Sequence, residues 1–409
     1  MKQTDLTTFI NQGLFPKARI FKNRDFLSAK IVPEELPHRT AELKMLAQTF
    51  SHILAGSTPP NLMIYGPPGS GKTVTVKRVL SELNKIISSY NVNAATCYTI
   101  ATHTDTGTLI SLCENLGLRV PKRGLSFAEL WNVFYSKING HKVVVVIDEI
   151  DKLLKFGKGE DLLYNLTREP DICTVGISNV VTLIELITDK RVVSSWNPRK
   201  IVFEPYNADQ LFDILKYRTQ VALYDGVVND EVLSYIAALA TQRGGDARYA
   251  LDLLTVAGDL AMVEGLNKIT IDLVHKAVDE VEQEFLRKTV RVLKDPEKIL
   301  LFIISLLKDV SPDVAYDYAN EFLVKLFRER RLSRRRWADY RSNLELYGYI
   351  DLIRKGRGKG KGCEYTLKLN DTIDRGLVVK TLKEEFGKVC DVGELECFII
   401  KLEKRLLWR

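Results

Sequence analysis

The stretch NLMIYGPPGSGKTVTVKRVL, residues 61–80, limits the folds open to this chain more than any other part of it. A short apolar run enters a glycine-rich turn and a helical pattern leaves it, the context that gives G-x-x-x-x-G-K-[ST] its meaning. The glycines let backbone N–H groups converge on phosphate oxygens, and the helix starting there adds the positive end of its dipole. Gly66, Pro67, Pro68, Gly69, Ser70 and Gly71 read as the cradle of a nucleotide. Lys72 is then the bridge between β- and γ-phosphates and Thr73 a magnesium ligand.

KVVVVIDEID, residues 142–151, supplies the other half of such a site. Its valines make a strand buried on both faces, which delivers Asp148 and Glu149 to its exposed end. Asp148 is placed to hold magnesium through its water shell, and Glu149 to polarise an attacking water. Further apolar runs, AATCYTIA and ICTVGISN, alternate with helical patterns, so an α/β domain is predicted over residues 1–205. About 40 residues between two of these strands, patterned as two helices joined by GLRVPKRG, form an insert over 104–139. Residues 206–290 read as a helical lid, and 291–409 as helices followed by two strands around a glycine-rich tip, the order of a winged helix-turn-helix.

Composition removes several alternatives. With 45% apolar residues the chain can build real cores, and the longest greasy run, ILLFIISLL at 299–307, is far short of the roughly 20 residues of a membrane span. The start lacks a basic n-region followed by an apolar core, so it does not read as a secretory signal. Cys97, Cys113, Cys173, Cys363, Cys390 and Cys397 form no C-x-x-C pair, which argues for free thiols rather than zinc or disulfides. A soluble cytoplasmic protein is expected.

The charge is spent locally. Between Lys325 and Lys361 thirteen basic residues face four acidic ones, a larger excess than the +7 of the whole chain, as expected for a phosphate-binding footprint. Ser333 can cap a helix with Trp337, Tyr340, Leu344 and Tyr347 on one side, turning Arg334, Arg335, Arg341 and Ser342 toward a groove. Arg336 begins the same helix. Arg354, Lys355, Arg357, Lys359 and Lys361 belong to the wing, whose glycines let it lie close to a backbone or enter a minor groove. Double-stranded DNA is the implied partner, and nucleoid association the implied location.

GPPGSGKT, VVVVIDEID, GISN and GGDAR, in this order, resemble the AAA+ ATPases. The resemblance implies a five-stranded parallel sheet, with Asn179 of GISN as the first sensor and Arg248 of GGDAR as the second. It also makes Arg191 of DKRVV an arginine finger that acts in a neighbouring subunit's site. The whole chain further resembles the archaeal replication-initiator family, homologues of the origin recognition complex large subunit and the cell-division-cycle helicase loader. VPEELPHR is similar to that family's entry segment, which implies His38 and Arg39 against the adenine of ATP or ADP, and Tyr206 of FEPYNADQ near the base. The insert tip, with Arg119, Lys122 and Arg123, is implied to touch DNA as well. The family further implies slow, switch-like ATP hydrolysis, recruitment of the replicative minichromosome maintenance helicase, and company of other initiator paralogues on DNA. A winged-helix transcription regulator and a clamp-loader-like motor remain as other readings.

Overall fold

The structure is a computed structural model that describes residues 19–154, 159–356, 363–371 and 373–406. The described residues of Met1–Ala277 form one compact unit and those of Val278–Arg409 another. The division falls inside a long helix, α10 below.

In the first unit, helix α1 (Thr40–Ser51) precedes β1 (Leu62–Tyr65), and α2 (Lys72–Tyr90) leads to β2 (Ala94–Ile100). The insert helices α3 (Asp105–Asn115) and α4 (Phe127–Ile138) follow, then β3 (Lys142–Asp148), α5 (Glu160–Arg168), β4 (Ile172–Ser178), α6 (Lys190–Trp196) and β5 (Arg199–Val202). The five strands form one parallel sheet in the order β2-β3-β4-β1-β5. Val143 through Ile147 are fully buried, because helices cover both faces of this central strand. Its odd positions pack with α3, α4 and α5 and its even ones with α1 and α2. Since β1 lies between β4 and β5, far from β2 in the order, the loop after β1 opens at the carboxyl edge of the sheet, where α/β folds place ligands.

Between β2 and β3 stand the two helices α3 and α4. Thr104 caps α3 by accepting the Gly107 N–H, and Ser126 with Glu129 forms a capping box on α4. The lid consists of α7 (Ala208–Ala222), α8 (Asp230–Gln242), α9 (Ala247–Val263) and the first part of α10 (Ile271–Val292). The entry segment runs along it. Lys22 and Asn23 N–H groups donate to the Ala222 carbonyl, and the Arg24 guanidinium forks onto Asp259 at 2.9 and 2.6 Å. Arg218, buried, reaches from α7 to the carbonyls of Phe26 (2.7 Å) and Ile31 (3.3 Å).

The second unit is organised around α11 (Asp295–Leu307), in which every residue from Ile299 to Leu307 is buried. The greasy run is therefore a central core helix. No helix among the described residues is long and apolar enough to cross a membrane. Around it stand α12 (Pro312–Leu326), α13 (Arg334–Leu346), α14 (Arg375–Phe386) and α15 (Val392–Leu406), with the antiparallel pair β6 (Ile350–Gly356) and β7 (Cys363–Leu369). Phe302, Phe322 and Phe386 meet at ring separations of 5.0–5.9 Å, and burial of each stabilises the unit by about 2–3 kcal/mol. This is a winged helix-turn-helix, with α13 immediately before the two strands. All six cysteines are free, four of them buried.

Candidate nucleotide site and basic face

The loop after β1, the ends of β3 and β4, the entry segment and the lid enclose a cavity of about 570 Å³. Gly69 and Gly71 show why this loop needs glycine. At Gly69 φ is +73°, and a Cβ there would lie 1.8 Å from the Asp246 carboxylate, which caps lid helix α9. At Gly71 φ is +89°, and a Cβ would come within 2.6 Å of the Tyr206 hydroxyl. Lid and phosphate loop are thus in backbone contact.

Lys72, Thr73, Asp148, Glu149, Asn179, Tyr206 and Arg248 all line the cavity, so the fold brings residues spread over 177 positions of sequence to one place. The Lys72 ammonium donates to the carbonyls of Gly66 and Pro67, each at 2.7 Å, and to Asn179 Oδ1 at 2.9 Å. Burial, then the positive charge of Arg248, pushes its pKa down to about 8. Asp148, buried, accepts Thr73 Oγ1–H at Oδ2 (2.7 Å) and the Glu149 N–H at Oδ1 (2.9 Å). Glu149 takes a left-handed backbone (φ 52°), uncommon for a residue with a Cβ, and its carboxylate pairs with Lys152. Such backbone strain is typical of functional sites.

Two expectations at the base end need correction. Arg39 does not line the cavity. Its guanidinium is buried, donating to Ser70 O (3.0 Å), Glu204 O (2.7 Å) and Glu42 (2.9 Å), and it lies 4.0 Å over the Tyr206 ring. Its nitrogens are all engaged by the protein, the geometry of a strut under the phosphate loop. His38, at φ 60°, pairs its ring with Asp213 at 2.7 Å and is not among the residues lining the cavity. The wall there is apolar, built from Val32, Pro33, Leu36 and Pro37 with Ile214, Tyr217 and Leu251 of the lid. Val32, Pro33, Leu36 and Pro37 belong to the entry segment VPEELPHR, already expected beside the base, whereas Ile214, Tyr217 and Leu251 of the lid escaped the sequence reading. Ser70 is fully buried, its hydroxyl donating to Pro67 O. Arg191 is exposed and away from the cavity, forked onto Asp189 and 5.3 Å over the Tyr164 ring.

The basic residues divide. Arg119, Lys122 and Arg123 stand exposed on the loop between α3 and α4. Ser333 caps α13, and Arg335, Arg336 and Ser342 are exposed along it. Arg334 is exposed but pairs with Asp313 and lies over Tyr316. Arg341 is corrected: it is half-buried, and its Nε finds no hydrogen-bond partner among the described residues. Tyr347, expected on the packed side, is exposed: it keeps helical backbone angles and an N–H bond to Asn343 O, but stands in the last turn at the edge of the apolar face, just before the left-handed Gly348. Arg354 sits on β6 with Nε donating to Cys363 Sγ, and Lys355 occupies the position opposite Glu364. Arg357, Lys359 and Lys361 lie outside the described residues.

A parallel sheet of this order, a phosphate loop facing an Asp-Glu strand end, a lid that brings an arginine to the same cavity, and a winged helix beyond it define a AAA+ ATPase of the winged-helix type. Residues 55–184 match the family model described as an AAA domain, and 212–279 the Cdc6 AAA+ ATPase-type lid domain. An ORC1-type DNA replication protein of Methanothermobacter thermautotrophicus is 40% identical over 371 residues, 90% of this chain and 98% of that protein. One from Sulfurisphaera tokodaii is 38% identical, across 92% of this chain and 96% of its own length. The chain belongs to the family of ORC1-type DNA replication proteins. Among solved structures, that of the Aeropyrum pernix ORC1 protein in complex with DNA superposes with a TM-score of 0.81 at 34% identity, covering 90% of this chain and 97% of that one. The Aeropyrum pernix ORC2 protein in its ADPNP-ADP complexes, at 19% identity and a TM-score of 0.56, shares the fold.

Proposed function

We propose that this chain is a replication initiator that binds origin duplex DNA through α13, the wing and the insert tip, with ATP and ADP as the two settings of a switch. The working parts are a nucleotide domain over 1–205, a lid over 206–290 and a DNA-binding domain over 291–409. The observation that carries the reading is that Arg248 of the lid and Lys72 of the phosphate loop face one cavity, so a γ-phosphate touches both sides at once. Loss of that phosphate removes a bond between loop and lid, the differential contact a switch requires.

Thr73 and Asp148 offer hard oxygens 2.7 Å apart, which fits magnesium, a cation that takes one or two protein oxygens and completes its shell with phosphates and water. Bound there, it would neutralise charge on the β- and γ-phosphates. Among the described residues no cluster of three His, Cys, Asp or Glu offers a different metal cage. Asn179 and Glu149 orient and polarise the attacking water; the pairing of Glu149 with Lys152 supports slow turnover. Arg191 serves a neighbouring copy's site, and Tyr206 closes the floor beneath the sugar and base. The family supports recruitment of the minichromosome maintenance helicase and company of initiator paralogues. The DNA-bound Aeropyrum relative supports the duplex as ligand.

The test is selection from a random duplex pool at fixed salt, since phosphate contacts dominate raw affinity. Wild-type protein should enrich one site, and Arg335→Ala with Arg336→Ala should lose that enrichment. Enrichment of no sequence by wild type would remove origin recognition from the proposal.

A further inference from the structure

Asp148 has a third donor that no motif contains. The Tyr98 hydroxyl, from β2, donates to Asp148 Oδ2 at 2.7 Å, on the same oxygen that receives Thr73. Strand register explains the reach. Ile100 pairs with Asp148 across the β2–β3 ladder, so Tyr98 stands two residues back and its ring spans the diagonal. Alternation puts Cys97 into the core under α3 and turns Thr96 and Tyr98 to the opposite face, toward α2, where Thr96 bonds Asn84. There the Lys77 ammonium, from a residue that also lines the cavity, sits 4.5 Å over the Tyr98 ring and holds it in place.

We propose that Tyr98 is a positioning residue for the nucleotide site's divalent cation, acting through Asp148. This rests on the magnesium reading above. The terminal torsion of an aspartate is soft, so a carboxylate held by one donor can swing. Thr73 and Tyr98 at Oδ2 and the Glu149 N–H at Oδ1 fix its plane, and the carboxylate so held lines the cavity in which a cation's water shell would sit. A phenylalanine would fill the same volume, so packing gives no account of the hydroxyl. Partners of this kind, one bond removed from the ion, typically change metal affinity by about 10–100-fold when lost.

The experiment uses the full chain with Mn²⁺ as the probe, free Mn²⁺ being read by electron paramagnetic resonance at saturating ADP. ADP affinity in chelator is read in parallel. Tyr98→Phe is expected to weaken Mn²⁺ binding about tenfold while metal-free ADP affinity stays within about twofold of wild type. In an Asp148→Asn background, Tyr98→Phe should have no further effect, because its route to the ion has gone. Equal Mn²⁺ affinity in wild type and Tyr98→Phe overturns the assignment, as does an undiminished Tyr98 effect without the Asp148 carboxylate. Wild-type protein that takes up no Mn²⁺ with ADP overturns the magnesium reading itself, and Tyr98's role with it.

Discussion

Replacing Arg39 by alanine separates a strut from a ligand contact. The guanidinium is 4% exposed and satisfies two backbone carbonyls, Ser70 O and Glu204 O, besides pairing with a Glu42 carboxylate that is itself 17% exposed. Truncation leaves all three acceptors without a donor. Breaking one side of a buried pair costs about 3–5 kcal/mol. Loss of the cation stacked on Tyr206 adds about 1 kcal/mol. In a unit of this size each kcal/mol moves the melting temperature by about 2–4 °C, so Arg39→Ala should melt about 10–20 °C below wild type. The drop should appear without any nucleotide present, in thermal unfolding followed by circular dichroism. Arg39→Lys should recover little, since one ammonium cannot reach acceptors spread around a planar fork. A variant that melts within about 2 °C of wild type yet no longer binds nucleotide would refute the strut and return Arg39 to the adenine.

Lys72→Ala should abolish nucleotide binding, read by fluorescence of a labelled ADP, and leave duplex affinity within about twofold of wild type; joint loss of both in a folded protein would break the separation of switch from DNA surface. Tyr65→Phe should be neutral or stabilising by about 1 kcal/mol in urea unfolding, because the buried Tyr65 hydroxyl has no hydrogen-bond partner among the described residues. Burial pushes that phenol up to about 12, so the unfolded chain ionises first, and wild type should lose stability from pH 10 to pH 12 while the variant is spared this loss. Destabilisation of the variant by more than about 1 kcal/mol would show that the hydroxyl is bonded after all.

The parts of the site that were legible in sequence are those whose chemistry needs a fixed local spacing. Glycine at 69 and 71 answers to φ and to backbone approach. The valines of β3 answer to burial on two faces, and Ser333 to an orphan N–H at a helix start. What escaped has no local period. The apolar wall joins Val32 and Leu36 to Ile214 and Leu251, brought together only by the lid's docking. Tyr98 meets Asp148 through strand register, which a sequence fixes only jointly with its neighbours. For Arg39 the motif records that an arginine is needed, while its partners Ser70 O, Glu204 O and Glu42 become visible only in the fold. Tyr347 failed because it stands in the last turn at the edge of the apolar face, next to the left-handed Gly348 that ends the helix and leaves it nothing to pack on.

The entry segment's attachment to the lid bears on how the protein is made. Lys22 pairs with Asp225 across 203 residues, and Arg24 with Asp259 across 235. A growing chain that has emerged through β5 possesses its entire sheet and its phosphate loop, yet Ile214, Tyr217 and Leu251 do not yet exist. The sheet can assemble on the way out, but the nucleotide's pocket waits for nearly 60 further residues and for a closure of high contact order. During that interval the entry segment over 20–27 lacks the lid surface on which it settles, and its apolar residues are open to wrong partners. A complete nucleotide pocket is therefore a late event in synthesis, acquired when the lid arrives to receive an entry segment made before the sheet.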